Sequence, residues 1–119
     1  MEIEISMRGS ILVVKPMDTA LDLKAKDLNK VWDSIEAGES DGGVQVSSVM
    51  FDCDDLRILH SSGIGNLIRI SNTLKEKKLK LVLYNLSNNV REVLEISQMD
   101  KVFTIFNFEH EAVEFFAKK

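Results

Sequence analysis

The residues best suited to chemistry in this sequence lie together in the stretch Leu-His-Ser-Ser-Gly-Ile-Gly-Asn-Leu, residues 59–67. A histidine followed by two serines could supply a base and a nucleophile. The nucleophile elbow of hydrolases is Gly-x-Ser-x-Gly, because small residues on both sides permit the strained turn that exposes the serine. Position 59 is Leu, and side chains adjacent in sequence usually point apart. The stretch therefore does not predict a Ser/His hydrolase.

Motifs for cofactors are also incomplete. Gly63 and Gly65 match two of the three glycines of a dinucleotide fingerprint, but position 68 is Ile. The sequence has no Gly-x-x-x-x-Gly-Lys-Ser/Thr loop for nucleotide phosphates, and His60 and His110 lack zinc-site spacing. We predict no cofactor, no metal site and no enzyme activity.

A cluster of acids offers one alternative. Asp52, Asp54 and Asp55 follow an apolar segment, and carboxylates at the carboxyl end of a parallel strand can hold magnesium, as in a receiver domain. Receiver domains begin with a strand, paired acids and a helix, whereas this sequence begins with a hairpin pattern. We interpret the three acids as solvated loop residues, and a magnesium-dependent receiver or enzyme is kept as a third hypothesis.

Composition limits the class of protein. The 119 residues are 45% hydrophobic and 29% charged, which is typical of a single globular domain covering 1–119. The net charge of −4 disfavours nucleic-acid binding. The sequence shows no signal-peptide pattern, no apolar run long enough to cross a bilayer, and a single cysteine, so we expect a cytoplasmic protein without membrane insertion.

Hydrophobic periodicity predicts the elements that position residues 59–67. Residues 3–14 alternate around Gly9 as a hairpin, and the second strand should end near Pro16. A helix with inward Leu21, Leu28 and Ile35 should stop at Gly38, and residues 44–52 should form a buried strand.

The second half of the chain repeats a helix–strand alternation. A helix over 62–78 is expected to direct inward the residues Ile64, Leu67, Ile68, Ser71 and Leu74. Its terminal lysines are interpreted as solvated groups that oppose the helix dipole. A strand, a helix capped near Ser87, a short strand and a closing helix with inward Ala112, Val113 and Phe116 follow. This ββαβαβαβα order predicts an α/β fold with a mixed, mostly parallel sheet flanked by helices.

In this fold the serines would lie at the start of a helix. Ser61 or Ser62 is then expected to cap the helix by accepting from a free backbone N–H. Two glycines so early in a helix are costly, by about 1 kcal/mol each relative to alanine, which indicates that bare backbone has another use there. A helix N-terminus also tolerates the negative charge of a phosphorylated serine.

The sequence resembles the STAS domain, specifically the bacterial anti-sigma-factor antagonists. The family string Asp-Ser-Ser-Gly-Leu/Ile-Gly is matched by residues 61–65 after an apolar strand, and a second family segment is matched in residues 85–95. The resemblance extends over nearly the whole chain. It implies that Ser61, with Ser62 as the less favoured position, is phosphorylated by an anti-sigma factor that is also a serine kinase.

The same resemblance implies partners and a cycle. The unphosphorylated antagonist binds the kinase through the motif residues His60, Ser62, Gly63, Ile64 and Gly65, and so frees a sigma factor. The phosphorylated form is released until a metal-dependent serine phosphatase restores it. The domain itself is a substrate and not a catalyst.

One residue departs from the family pattern, because His60 replaces the aspartate before the serines. An imidazole keeps hydrogen-bonding ability but lacks the carboxylate charge. Two interpretations stay open: a kinase adapted to His60 phosphorylates Ser61, or the chain is a non-phosphorylated STAS subunit of a signalling or transporter complex.

Overall fold

The computed structural model describes residues 1–40 and 45–117, which form five strands and four α-helices. The strands are β1 (Ile3–Arg8), β2 (Ile11–Pro16), β3 (Ser48–Asp52), β4 (Lys80–Tyr84) and β5 (Thr104–Phe106). The helices are α1 (Ala25–Ser40), α2 (Ser61–Glu76), α3 (Asn88–Ile96) and α4 (Glu109–Ala117), with a short 3₁₀ turn at Met99–Lys101. The predicted ββαβαβαβα order is confirmed.

The strands form one sheet in the order β1-β2-β3-β4-β5, with β1 antiparallel to β2 and all other pairs parallel. Each connection between parallel strands leads to the next strand in this order, so all three connections cross the sheet in the same direction. Because such crossovers are right-handed, α1, α2 and α3 all lie on one face of the sheet. α4 has no strand after it, and it packs on the opposite face.

The core follows the alternation of side chains along the strands. Leu12, Val14, Val49 and Phe51 join the helices α1 to α3 in the larger cluster. The intervening side chains belong to a smaller cluster under α4: Ile11, Val13, Met50, Val82, Tyr84 and Ala112. This explains why β3 and β4 are apolar at consecutive positions, since they are covered on both faces.

Several predicted boundaries differ from the structure. α1 begins at Ala25 rather than near Leu21, and it continues to Ser40 past Gly38. β3 begins at Ser48, and the predicted strand residue Val44 lies outside the described residues. β2 ends at Pro16 as expected, and the hairpin turn places Gly9 at φ +62°.

The other predicted helices agree with the structure in their main features. Ser87 caps α3 by accepting from Val90 N–H at 3.3 Å, as predicted. Ala112 is buried, and Val113 and Phe116 pack against the smaller cluster, as expected for α4. In the described part of the chain, no helix has both the length and the apolar character needed to cross a bilayer.

The start of α1 provides a pH-dependent prediction. The Lys24 backbone N–H donates to Asp27 Oδ2 at 2.9 Å and lowers the pKa of this buried carboxyl. Because the pKa of Asp27 is lower in the folded protein than in the unfolded chain, the ionised carboxylate stabilises the fold at pH values above the unfolded-state pKa. This stabilisation is lost as the pH falls through the folded-state pKa. We expect Asp27→Asn to lower the free energy of unfolding by about 1 kcal/mol at pH 7. In urea titrations the difference should shrink below pH 4, and a constant difference would contradict the assignment.

Candidate functional site

Ser61 and Ser62 are the first two residues of α2, and both are exposed. The residue that caps the helix is His60, whose extended backbone has φ −88° and ψ 168° and whose side chain makes no capping hydrogen bond. The prediction that Ser61 or Ser62 caps α2 is therefore wrong. The helix begins one residue earlier than predicted, so both serines already have helical backbone and their hydroxyls lie past the capping position.

The Ser61 hydroxyl is free of intrachain hydrogen bonds within the described residues. His60 is exposed and makes no hydrogen bond to it, while His110 lies on α4 and stacks on Phe108 with ring centroids 5.7 Å apart. A nucleophilic serine needs a base within hydrogen-bonding reach. Ser61 is thus exposed at the start of α2, and neither histidine is hydrogen-bonded to it within the described residues.

Gly63 lies where α2 packs on the loop before α1. A Cβ atom at this position would be 2.8 Å from Leu59 Cδ1 and 3.1 Å from the backbone oxygen of Leu21. Gly65 differs, because a Cβ atom there would meet nothing within 4 Å. The sequence suggested a common use for bare backbone at both positions, but Gly63 is explained by close packing and only Gly65 borders open space.

One side of α2 is exposed along its length. Ser61, Gly65 and Ile68 follow one another at helical spacing and are all exposed, with Ile68 at 37%. The prediction that Ile68 points inward is wrong. Ile70 is buried instead, together with Leu67 and Leu74, because the buried stripe lies further round the helix than the sequence indicated.

A second segment borders this side of α2. The backbone N–H groups of Arg57 and Ile58 both donate to Thr19 O, at 2.8 and 2.9 Å, which ties the segment before α2 to the segment after β2. Ile58 is 48% exposed and Met17 is 39% exposed. We refer to the exposed residues Met17, Ile58, Ser61, Gly65 and Ile68 as the Ser61 surface. Sequence reasoning missed Met17 and Ile58, since no periodic pattern covers the loops that carry them.

Of the three acids at and after the end of β3, Asp52 has hydrogen-bond partners within the described residues. Asp52 Oδ1 accepts from Asn85 Nδ2 and from the Asp54 backbone N–H, each at 3.1 Å. Asn85 adopts a left-handed backbone with φ +60°, a conformation that asparagine tolerates better than most residues. Within residues 1–40 and 45–117, no three His, Cys, Asp or Glu side chains come together as a possible metal site.

Cys53 is a further potential nucleophile, and its environment suppresses reactivity. Its side chain is 2% exposed, and burial, reinforced by the charge of Asp52, raises the thiol pKa to about 12. Since the thiolate is the reactive form, we expect dithiobisnitrobenzoate to label the native protein at least about 100-fold more slowly than the urea-unfolded chain. Rapid labelling of the native protein, followed by absorbance, would contradict this.

A family model described as STAS domain matches residues 3–112. The chain belongs to the STAS domain family. The match includes every strand and the whole of α2, so the resemblance noted from residues 59–67 and 85–95 is confirmed at the level of the family. No curated protein sequence matches this STAS domain significantly.

Solved structures share the fold. An anti-sigma-factor antagonist (STAS) domain protein from Planctomyces limnophilus is 22% identical, with a TM-score of 0.71 and 97% of each chain covered. The Bacillus cell fate determinant SpoIIAA in its phosphorylated form is 19% identical, with a TM-score of 0.59 and coverage of 95% of this chain and 97% of that one. The murine anion transporter Slc26a9 is 16% identical, with a TM-score of 0.72, and the match covers 96% of this STAS domain but 19% of the transporter. The similarity of these proteins to this chain is one of fold.

Proposed function

We propose that this STAS domain is a cytoplasmic anti-sigma-factor antagonist whose binding to a partner is switched by phosphorylation of Ser61. The partner is an anti-sigma factor with serine kinase activity, and a metal-dependent serine phosphatase reverses the modification. The unphosphorylated domain binds the kinase and so releases a sigma factor. The domain contributes a surface and an acceptor hydroxyl, and the kinase contributes the catalysis.

The exposed position of Ser61 carries this proposal. A kinase must bring its own catalytic groups to the acceptor hydroxyl, so the acceptor has to be accessible and free of strong intrachain hydrogen bonds. Ser61 meets both conditions in the described part of the chain. Similarity to an anti-sigma-factor antagonist and to a phosphorylated STAS protein supports the same assignment.

The position also accounts for a switch that acts on binding rather than folding. A phosphate on Ser61 adds nearly two negative charges at the first turn of α2, where the helix dipole favours them. The same phosphate would share the Ser61 surface with the exposed apolar side chains of Ile58, three residues before Ser61, and Ile68, two helical turns after it. A partner that covers those side chains would have to desolvate the phosphate, which is unfavourable without a new cation opposite it.

His60 is the residue that a cognate kinase has to accommodate. Its side chain is exposed and accepts no capping bond, so it is available to a partner. A neutral imidazole offers a kinase one donor and one acceptor nitrogen, whereas the ionised aspartate of the family only accepts. We therefore propose that His60 belongs to the partner-binding motif with Ser62, Gly63, Ile64 and Gly65, and that the buried Gly63 acts through the position it gives to α2.

Phosphorylation in vitro tests the proposal. The purified chain is incubated with ATP and the kinase that it captures from its own cells, and the phosphate is located by mass spectrometry. We expect phosphate on Ser61 in the wild type and in Ser62→Ala, and none in Ser61→Ala. Capture of an active kinase that leaves both serines unmodified would overturn the switch.

A second candidate keeps the fold without the modification. His60 in place of aspartate, together with the similarity of fold to the STAS region of an anion transporter, favours a constitutive subunit of a signalling or transporter complex. The same capture experiment separates the two. A serine kinase among the captured proteins supports the switch, whereas a transporter or sensor without a kinase supports the subunit.

A further inference from the structure

A cleft lies at the end of the sheet where β4 and β5 begin, which is the end opposite Ser61. It has a volume of about 350 Å³ and lies between the end of α2, the start of β4 and the segment leading into β5. Its apolar lining consists of Leu79, Leu81, Val102 and Phe103. Val102 is 51% exposed, so the apolar lining continues to the surface. This size and lining are sufficient to hold one large apolar side chain.

Lysines surround this cleft. Lys75, Lys78 and Lys80 line it, and the exposed Lys77 and Lys101 are the sequence neighbours of the cleft residues Lys78 and Val102. We refer to these five lysines and the apolar lining as the lysine cleft.

Within the described residues, no carboxylate lies within 4.0 Å of any of these five ammonium groups, including those of the nearby Glu76 and Asp100. The Lys80 ammonium instead lies 4.8 Å from the centre of the Phe115 ring. Five lysines without a carboxylate partner among residues 1–40 and 45–117 are unexpected in a chain whose net charge is −4. The lysine cleft is therefore complementary to a negatively charged partner.

Lys78 occupies a position that suits glycine better. The Leu79 N–H donates to Leu74 O at 2.8 Å and the Lys78 N–H donates to Lys75 O at 3.0 Å, which is the Schellman pattern that ends a helix. Lys78 is the left-handed residue of this pattern, with φ +61°. Glycine is the usual residue there because a Cβ atom strains this conformation. The lysine lowers stability while placing a cation at the cleft.

We infer that the lysine cleft is a second docking surface, which binds an acidic segment of a protein partner and takes one apolar side chain of that segment into the cleft. A protein segment fits better than a small anion, because the cleft combines three lysines with an apolar lining that a small anion would leave uncovered. Ser61 and Lys75 are fourteen residues apart on α2, a separation of about 21 Å along the helix at 1.5 Å per residue. The two surfaces can therefore be occupied together.

The test uses a synthetic peptide, acetyl-EEELFEEE-amide, titrated into the isotopically labelled full chain and followed by amide chemical shifts. We expect shifts at Leu79, Lys80, Val102 and Thr104, with none at Ser61 or Gly63, and weaker binding at high salt because salt screens the charges. Lys75→Gln should weaken binding about two- to fivefold. Lys78→Gly should weaken it similarly while raising the midpoint of thermal unfolding, so a loss of folding cannot explain the result.

Controls decide between this surface and other sources of binding. Lys26→Gln removes the same charge from α1 and should leave the affinity unchanged. An equal loss in Lys26→Gln and Lys75→Gln would overturn the proposal, since binding would then depend on charge alone. Displacement of the peptide by equimolar inorganic phosphate would overturn it in favour of a small-anion site. Preferential binding to vesicles of phosphatidylserine and phosphatidylcholine would overturn it in favour of a membrane surface.

Discussion

Ser61→Asp is expected to weaken binding to the kinase partner by about tenfold or more, with the midpoint of thermal unfolding unchanged or slightly raised. The loss of affinity follows from a carboxylate placed against a partner surface that fits a neutral hydroxyl beside apolar side chains. The retained stability follows from the position at the first turn of α2, where a negative charge is favourable by about 0.3–1 kcal/mol. Calorimetric titration and thermal unfolding measure the two quantities.

Two matched variants serve as controls for Ser61→Asp. Asn29→Asp adds the same charge to an exposed position on α1, and it should leave the affinity for the kinase unchanged. Ser61→Ala removes the hydroxyl without adding charge, so it should keep binding while abolishing phosphorylation. Wild-type affinity of Ser61→Asp, or an equal loss in Asn29→Asp, would contradict the role given to the Ser61 surface.

Gly63→Ala is expected to lower the free energy of unfolding by up to about 2 kcal/mol. Alanine gains about 1 kcal/mol from helix propensity, but its Cβ atom would lie 3.1 Å from the Leu21 backbone oxygen and 2.8 Å from Leu59 Cδ1. The leucine methyl group can move, whereas the carbonyl is held by the chain. Overpacking of this kind costs about 1–3 kcal/mol, so the clash outweighs the propensity gain.

Gly65→Ala provides the matched control on the same helix. Its Cβ atom would meet no neighbour within 4 Å, so only the propensity gain remains and stability should rise by about 0.5–1 kcal/mol. Urea unfolding of the two variants should give midpoints on opposite sides of the wild type. If both alanines stabilise the protein, the close packing of α2 on the loop before α1 is wrong.

The two glycines also show where sequence reasoning reached its limit. Each breaks the same propensity rule, so the sequence alone assigned them a common purpose. Their different roles depend on Leu21, which is about forty residues away in the chain and lies near Gly63 in a segment that is hydrogen-bonded through Thr19 to Arg57 and Ile58. A contact of that kind has no local pattern in the sequence.

The first residue of a helix is also predicted from sequence only where the local pattern is clear. The predicted cap near Ser87 is confirmed at Ser87, which accepts from Val90 N–H, because polar residues suited to capping directly precede the apolar period that begins at Val90. At α2 the apolar period does not distinguish His60 from Ser61 as the first residue outside the helix. The structure places the boundary at His60, where the extended backbone follows the buried Leu59.

The sequence by itself determined the order of the elements, the α/β class and the STAS family, and it predicts a functional role for residues 60–65. These features depend on local periodicity, turn residues and a contiguous motif, all of which involve residues close together in sequence. Only the tertiary structure decided which sides of α2 are buried and exposed, why Gly63 and Gly65 differ, and that three lysines line an apolar cleft at the far end of the sheet. Those features arise from contacts between segments distant in sequence, and the energies of such contacts depend on distances that only the folded chain defines.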